Sequence, residues 1–399
     1  MPSIAADNSY LLDDNWANLD IYNLMGTQVP QVVAVDGPPG TGKTRTIVET
    51  AAGWTGKTAV VTYTNDAAGV LHRRAPQLQA GTVYSLTWPY VKPFIQGSQV
   101  NTATGGQAYS TRRIHHLFDP ALLQYVDDAP SNKPVTRQDT LAKQLHSWAG
   151  GLPPFKLEHE VPKGALKFLL PLARWIEAGS PIPESEQLDE IAIDEAQDMS
   201  WVELRAAIAL VKPSGLVTAY GDPGQSIFAT AKGVLGGALP PLWTRADEQV
   251  VMNTGYRVGD PTATVAARVL HSYYDRPAHT FRAKHKTELL AWDSQSRPMR
   301  GLVLGYSRRG VAKAFRNWGL ARTGIVPNVA AANKELVLST GHAAKGAEAD
   351  DVYILPWSRV AIGRFERRDP ETIRLLYVML TRAKRRVFLP RTIKARLPL

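Results

Sequence analysis

Within Val35–Thr46, VDGPPGTGKTRT, the residues Gly37, Gly42, Lys43 and Thr44 stand at the spacing G-x-x-x-x-G-K-[ST] of a phosphate-cradling loop. Glycines let consecutive backbone N–H groups turn inward on phosphate oxygens, and the lysine that follows reaches the outer phosphates. The threonine hydroxyl next in line suits Mg²⁺, a hard cation that takes oxygen ligands. ATP with its magnesium is the ligand this set describes.

A cradle alone does not imply hydrolysis, which also needs a carboxylate for the metal and a base for the water. IAIDEAQD supplies both: an apolar run ends in Asp194, and Glu195 follows. Asp194 reads as the metal carboxylate, and Glu195 as the group that orients and deprotonates the attacking water. Alone, an acidic pair after a strand is as often a helix N-terminal cap. With GKT upstream, the pair reads as part of one site.

These groups need strands to hold them. Short β-branched runs recur along the chain, closed by polar or glycine-rich residues: QVVAVD at Gln31, KTAVVTYT at Lys57, EIAIDE at Glu190 and GLVTAYGD at Gly215. GLVLGY at Gly301, ELVLST at Glu335, DVYILP at Asp351 and RRVFLP at Arg385 follow. Alternation with helical stretches predicts parallel sheets covered by helices, an α/β class. The runs fall before and after about Val250, which predicts two α/β domains. Residues 81–188 break the pattern with aromatics, prolines and bases, and predict a separate, mainly helical insertion in the first domain.

Composition narrows the rest. The 399 residues carry a formal net charge of +10, and Ala361–Leu399 holds eleven Lys or Arg against Glu366, Asp369 and Glu371. A polyanionic partner is expected. There is no cysteine, which excludes disulfides, thiolate metal sites and a cysteine nucleophile. No apolar run is long enough to span a bilayer, and the acidic start MPSIAADNSYLLDDNW lacks the character of a signal peptide. A soluble, intracellular, cytoplasmic protein with no membrane partner is expected.

Seven further stretches, in order, resemble the motifs of superfamily 1 helicases of the Rep/UvrD/PcrA type. VVTYTNDAAGVL at Val60 resembles motif Ia, GTVYSL at Gly81 motif Ib, DEAQD at Asp194 motif II and GDPGQSIF at Gly221 motif III. NTGYR at Asn253 resembles motif IV, LSTGHAAKGAEADDVYI at Leu338 motif V and RLLYVMLTRAKRRV at Arg374 motif VI. Two RecA-like P-loop domains with ATP between them are implied. The first, 1A, would span 1–80 and 189–250, with subdomain 1B at 81–188 inserted in it. The second, 2A, would span 251–399, and the 2B domain of larger relatives is essentially absent.

The resemblance implies roles residue by residue. Nucleotide contact would run over Gly37, Pro38, Pro39, Gly40, Thr41, Gly42, Lys43, Thr44 and Arg45, with Tyr256 stacking on adenine and Glu348 on the ribose. Gln225 would sense the γ-phosphate, and Arg257 and Arg382 would be arginine fingers, a role that suits an always-charged, forked group. Tyr63 and Phe228 would receive single-strand bases by sequence-tolerant stacking. Thr64, Asn65, Thr340 and His342 would touch the DNA backbone. Where the family carries a tryptophan shortly after QSIF, this chain has Thr230.

The implied activity is an ATP-dependent DNA helicase and single-strand translocase of 3′ to 5′ polarity, acting as a monomer at single/double-strand junctions beside replication or repair proteins. An RNA-acting enzyme, or one of the 5′ to 3′ branch in which the GPPGTGKT spelling is commoner, is an alternative. A nucleotide-switched binding module without translocation is another.

Overall fold

The computed structural model describes residues 30–92, 134–135, 161–162, 172, 175–176, 179–199, 201–227, 242–243, 246–271, 282–320 and 332–398. By their contacts the described residues of 30–36 and 43–250 form one unit, and those of 37–42 and 251–398 the other.

The first unit is built on a six-stranded sheet. Its strands are β1 (Gln31–Asp36), β2 (Thr58–Thr62) and β3 (Gln79–Thr82); a small antiparallel pair, β4 (Pro134–Val135) and β5 (Val161–Pro162), stands apart; then come β6 (Leu188–Ile193), β7 (Val211–Gly221) and β8 (Glu248–Val251). The order is β3-β2-β6-β7-β1-β8, and β3–β2, β2–β6, β6–β7 and β7–β1 are parallel. Helices α1 (Lys43–Ala51), α2 (Asn65–Arg74), α3 (Val83–Val91) and α4 (Trp201–Ala209) belong to it.

Strands covered on both faces carry continuous apolar runs. Val60, Val61, Ile191, Ile193, Val217 and Ala219 are accordingly fully buried, as are Ile47 of α1 and Leu71 of α2. Burying each of these valine, isoleucine and leucine side chains stabilises the fold by roughly 1.5–3 kcal/mol.

The second unit repeats the design. Its strands are β9 (Thr254–Gly255), β10 (Arg282–Ala283), β11 (Glu288–Trp292), β12 (Gly301–Gly305), β13 (Leu336–Thr340), β14 (Ala349–Ile354) and β15 (Ala383–Pro390). β9 and β10 pair alone, and the other five form an all-parallel sheet in the order β11-β15-β14-β12-β13. Helices α5 (Thr262–His271), α6 (Arg308–Asn317), α7 (Arg359–Glu366), α8 (Pro370–Leu380) and α9 (Arg391–Lys394) accompany it. Two parallel sheets flanked by helices make the chain α/β, with two RecA-like domains, as its sequence predicts.

The structure adds strands that the β-branched runs do not mark. QAGT forms β3 and ELLAW forms β11, since a parallel neighbour supplies the ladder that local propensity does not. Of the insertion expected at 81–188, α3, the β4–β5 pair and residues 172, 175–176 and 179–188 are described, and the mainly helical character expected of the rest falls on residues outside the described ones.

Topology sets where chemistry can occur. Because the paired strands run parallel, the loops after β1, β2, β6 and β7 emerge at one carboxyl edge. The register brings Asp36 beside Gly221 and Ile193 beside both Val61 and Ala219. Lys43 and Thr44, Tyr63 and Thr64, the acidic pair and the Gly221–Gln225 turn therefore share that edge.

Candidate functional site

After β1 the backbone turns through positive φ at Gly40 (78°) and Gly42 (92°), a conformation that glycine adopts without penalty. A Cβ at Gly40 would lie 2.4 Å from that of Arg257, and the Gly40 carbonyl accepts from the Tyr256 N–H at 2.9 Å. The Thr41 hydroxyl donates to the Pro38 carbonyl at 2.8 Å and braces the turn. Lys43 opens α1 and is buried. Arg45 lies on the exposed side of that helix, paired with Glu49 one turn on at 2.6 Å, and faces solvent.

Thr44 Oγ1 donates to Asp194 Oδ2 at 2.9 Å, joining residues far apart in sequence. Asp194 is buried, and burial together with the Glu195 charge pushes its carboxyl up to about 6, against the pull of Lys43 and the Thr44 hydrogen bond. A buried carboxylate so placed favours an added cation. Among the described residues no cluster of three His, Cys, Asp or Glu could form a metal cage. One carboxylate with a hydroxyl, completed by phosphates and water, is the donor set Mg²⁺ takes beside a nucleotide, so Thr44 and Asp194 fit it.

Glu195 takes a left-handed backbone conformation (φ 59°, ψ 38°), unusual for a side-chain-bearing residue and common at sites where geometry is imposed. Its Oε2 accepts from Gln197 Nε2. The same amide turns its Oε1 to the Asp222 N–H at 3.0 Å, and the Gln197 carbonyl accepts from Ser226 Oγ at 2.8 Å. Asp222 Oδ2 in turn accepts from Gln225 Nε2 at 2.9 Å. A continuous path thus runs from the half-buried Glu195 through the buried Gln197 and Asp222 to Gln225. Motif reading singles out only its two ends; the glutamine in DEAQD was the available signal for the middle.

In the second unit Tyr256 is 63% exposed, a ring open to a planar ligand. Arg257 Nη1 lies 3.5 Å from Glu348 Oε2, and Lys384 pairs with Glu348 Oε1. Burial pushes the Glu348 carboxyl up, but the Lys384 hydrogen bond and the charges of Arg257, Lys384 and Arg382 outweigh it and hold the group below the usual range. Arg382 is buried at the end of α8. Its Nε donates to Val378 O at 2.9 Å, Nη1 to Ala347 O at 3.3 Å and Nη2 to Thr381 Oγ1 at 3.2 Å. Its guanidinium is thus engaged by its own unit.

The residues expected on the strand path occupy separate elements. Tyr63 follows β2 half-buried, its hydroxyl pushed up by burial and by the charges of Glu203 and Asp198. Thr64 caps α2, its Oγ1 accepting from the Ala67 N–H at 3.2 Å. Thr340 ends β13 with its Oγ1 accepting from the Ala343 N–H at 3.2 Å, and His342 Nε2 lies 3.6 Å from Glu371 Oε1. Within the second sheet, Thr340 and His342 stand at the carboxyl edge, while Glu348 and Arg382 precede β14 and β15 at the amino edge. Phe228, Thr230 and the Asn65 side chain lie outside the described residues.

A buried lysine and a threonine opening a helix after a parallel strand and a glycine-rich turn, with the threonine hydroxyl on a buried aspartate and a braced glutamate next in the chain, mark a P-loop nucleotide-binding protein. The family model described as an AAA domain matches residues 25–231, more than half of the chain, and the UvrD-like helicase C-terminal domain model matches 335–389. The chain belongs to the UvrD-like superfamily 1 helicases.

A search of curated proteins returned no match. Among solved structures, the chain is similar to the Arterivirus nonstructural protein 10 helicase at 15% identity and TM-score 0.45, covering 98% of this chain and 64% of that one. The PRRSV helicase gives 14% identity and TM-score 0.45 over 97% and 57% of the two chains. The Arterivirus protein in complex with DNA gives 14% and 0.42 over 96% and 63%. The chain spans less than two thirds of each of these proteins. Among the described residues no helix is long and apolar enough to cross a membrane.

Proposed function

We propose that this chain is an ATP-driven motor that moves 3′ to 5′ along single-stranded DNA and opens duplexes at single/double-strand junctions. The observation that carries the reading is the convergence of Lys43, Thr44 and Asp194 at one edge of the first sheet, joined by the 2.9 Å Thr44–Asp194 hydrogen bond, with Glu195 next in the chain.

Thr44 and Asp194 would hold Mg²⁺, which supplies charge neutralisation across the transferred phosphoryl group. Lys43 binds the outer phosphates from the start of α1. Glu195, fixed by its backbone and by Gln197, orients the attacking water and takes its proton. Arg257 reaches toward transition-state charge, Arg382 is a second candidate for that role, and Tyr256 offers a stacking face. Gln225, tied through Asp222 and Gln197 to Glu195, would pass nucleotide state to the loops after the strands. Tyr63, Thr64, Asn65, Phe228, Thr340 and His342 are the proposed strand contacts. In domain terms, 1–80 with 189–250 would act as 1A, 81–188 as 1B and 251–399 as 2A.

The reading is tested by ATP turnover with poly(dT), with poly(U) and with neither, for the parent and Glu195→Gln. Stimulation by poly(dT), absent in Glu195→Gln although Mg-ATP still binds, is expected. Stronger stimulation by poly(U) would make the substrate RNA, and turnover unaffected by either polymer would reject the motor.

A further inference from the structure

Around Glu348 one carboxylate is shared by two cations on different elements of the second unit. Its Oε1 pairs with Lys384 of β15, and its Oε2 lies 3.5 Å from Nη1 of Arg257, in the loop after β9. The sheet dictates the first pairing. Ala349 stands opposite Ala383 in the β14–β15 ladder, and the Ala349 N–H donates to the Arg382 carbonyl at 3.0 Å. That register sets Glu348, just before β14, opposite Arg382, with Lys384 two residues further along β15 and diagonal to it, within reach of the Glu348 carboxylate.

An isolated pair of this exposure would contribute little, because solvent screens it. The bridge differs in what it does to its third member. Arg257 is only 17% exposed, and a planar guanidinium is useful to a phosphate only in the right orientation. A carboxylate free to rotate between Arg257 and the nearby Arg382 would turn both oxygens onto one guanidinium and sequester it.

We propose that Lys384 is a positioning residue: by occupying Oε1 of Glu348 it leaves only Oε2 for Arg257, and so holds the Arg257 guanidinium ready to turn to phosphate. The inference rests on the reading of Arg257 as a phosphate-facing arginine. Because Lys384 acts through Glu348, its loss should lower kcat more than it changes KM for ATP.

The test is basal ATPase without nucleic acid for Lys384→Met, Lys384→Arg, Arg257→Ala and the Lys384→Met/Arg257→Ala double variant, with thermal melting of each. Lys384→Met should lower kcat about 10-fold, with KM within about 2-fold and Tm near the parent, because the loss is one of orientation. Lys384→Arg should recover most of the loss. In the Arg257→Ala background Lys384→Met should add nothing; independent, multiplying losses would overturn the proposal. Parent-level turnover in Arg257→Ala would instead refute the underlying reading of that arginine. The bridge itself is then judged by the ¹³C titration of the Glu348 carboxyl, expected low in the parent and Lys384→Arg and raised in Lys384→Met. An unchanged titration in Lys384→Met overturns it.

Discussion

Gln197 Oε1 accepts the Asp222 backbone N–H at 3.0 Å while the Nε2 of the same amide donates to Glu195, so one buried side chain ties the proposed base to the turn that carries Gln225. Both polar ends of that amide are spoken for, which fixes its orientation and, through it, that of the Glu195 carboxylate.

Removing this brace should cost turnover more than binding. Gln197→Ala is expected to lower kcat by about 10²-fold, the scale of misplacing a reacting group by about 1 Å, with Mg-ATP affinity close to the parent. It also strands the Asp222 N–H, at a stability cost of about 1–3 kcal/mol. Single-turnover hydrolysis beside nucleotide binding checks this; parent-level hydrolysis would remove Gln197 from the account.

The raised Asp194 carboxyl makes a prediction with a definite sign. Its folded value of about 6 lies above the 3.8 of an ordinary aspartate, so between those pH values the folded chain binds the proton more tightly and loses stability as pH rises. At pH 7.5 the buried charge is carried in full. Asp194→Asn should therefore be more stable than the nucleotide-free parent at pH 7.5, by up to about 3 kcal/mol, and the gap should narrow as pH falls below 6 and close only near pH 4. Mg²⁺-dependent turnover should be lost in the variant and should fall in the parent as pH drops through 6. A variant that melts lower at pH 7.5 would contradict the burial argument.

The two arginines should fail differently. Arg257→Ala should keep ATP affinity and lose turnover on the order of 10³-fold with an unchanged Tm, as for a group acting mainly in the transition state. Arg382→Ala should lose turnover and also melt lower, because its guanidinium holds the Val378 and Ala347 carbonyls, and buried acceptors left unpaired cost about 1–3 kcal/mol. Loss of turnover in neither variant rejects both as fingers.

Much of this was legible in the sequence. Strands with β-branched runs, such as QVVAVD and GLVLGY, and the glycine-lysine spacing at Gly37–Thr44 announce themselves, because local propensity and the chemistry of the ligand demand those residue types. β3 and β11 do not, since QAGT and ELLAW become strands through neighbours brought from elsewhere in the chain. Gln197 and Lys384 escape for the same reason. Each matters through a partner that only the fold brings near, Asp222 for one and Glu348 for the other. The inward engagement of Arg382 is likewise a matter of which way the end of α8 turns, and motif VI names the residue without fixing that.

Binding to a strand should be driven by charge. With a net charge of +10, single-stranded DNA should stimulate ATPase with little sequence preference, and log affinity should fall linearly with log salt, at a slope of about −0.7 per phosphate neutralised. Affinity insensitive to salt would contradict a backbone-tracking surface.

The most direct measurement is ATP-dependent strand displacement under single-turnover conditions on duplexes with 3′ or 5′ single-stranded tails of equal length, using the parent and Glu195→Gln. The account predicts preferential opening of the 3′-tailed duplex by the parent and none by Glu195→Gln. Opening of neither duplex with ATP, or equal opening by Glu195→Gln, would contradict a motor powered from this site; preferential opening of the 5′-tailed duplex would reverse its polarity.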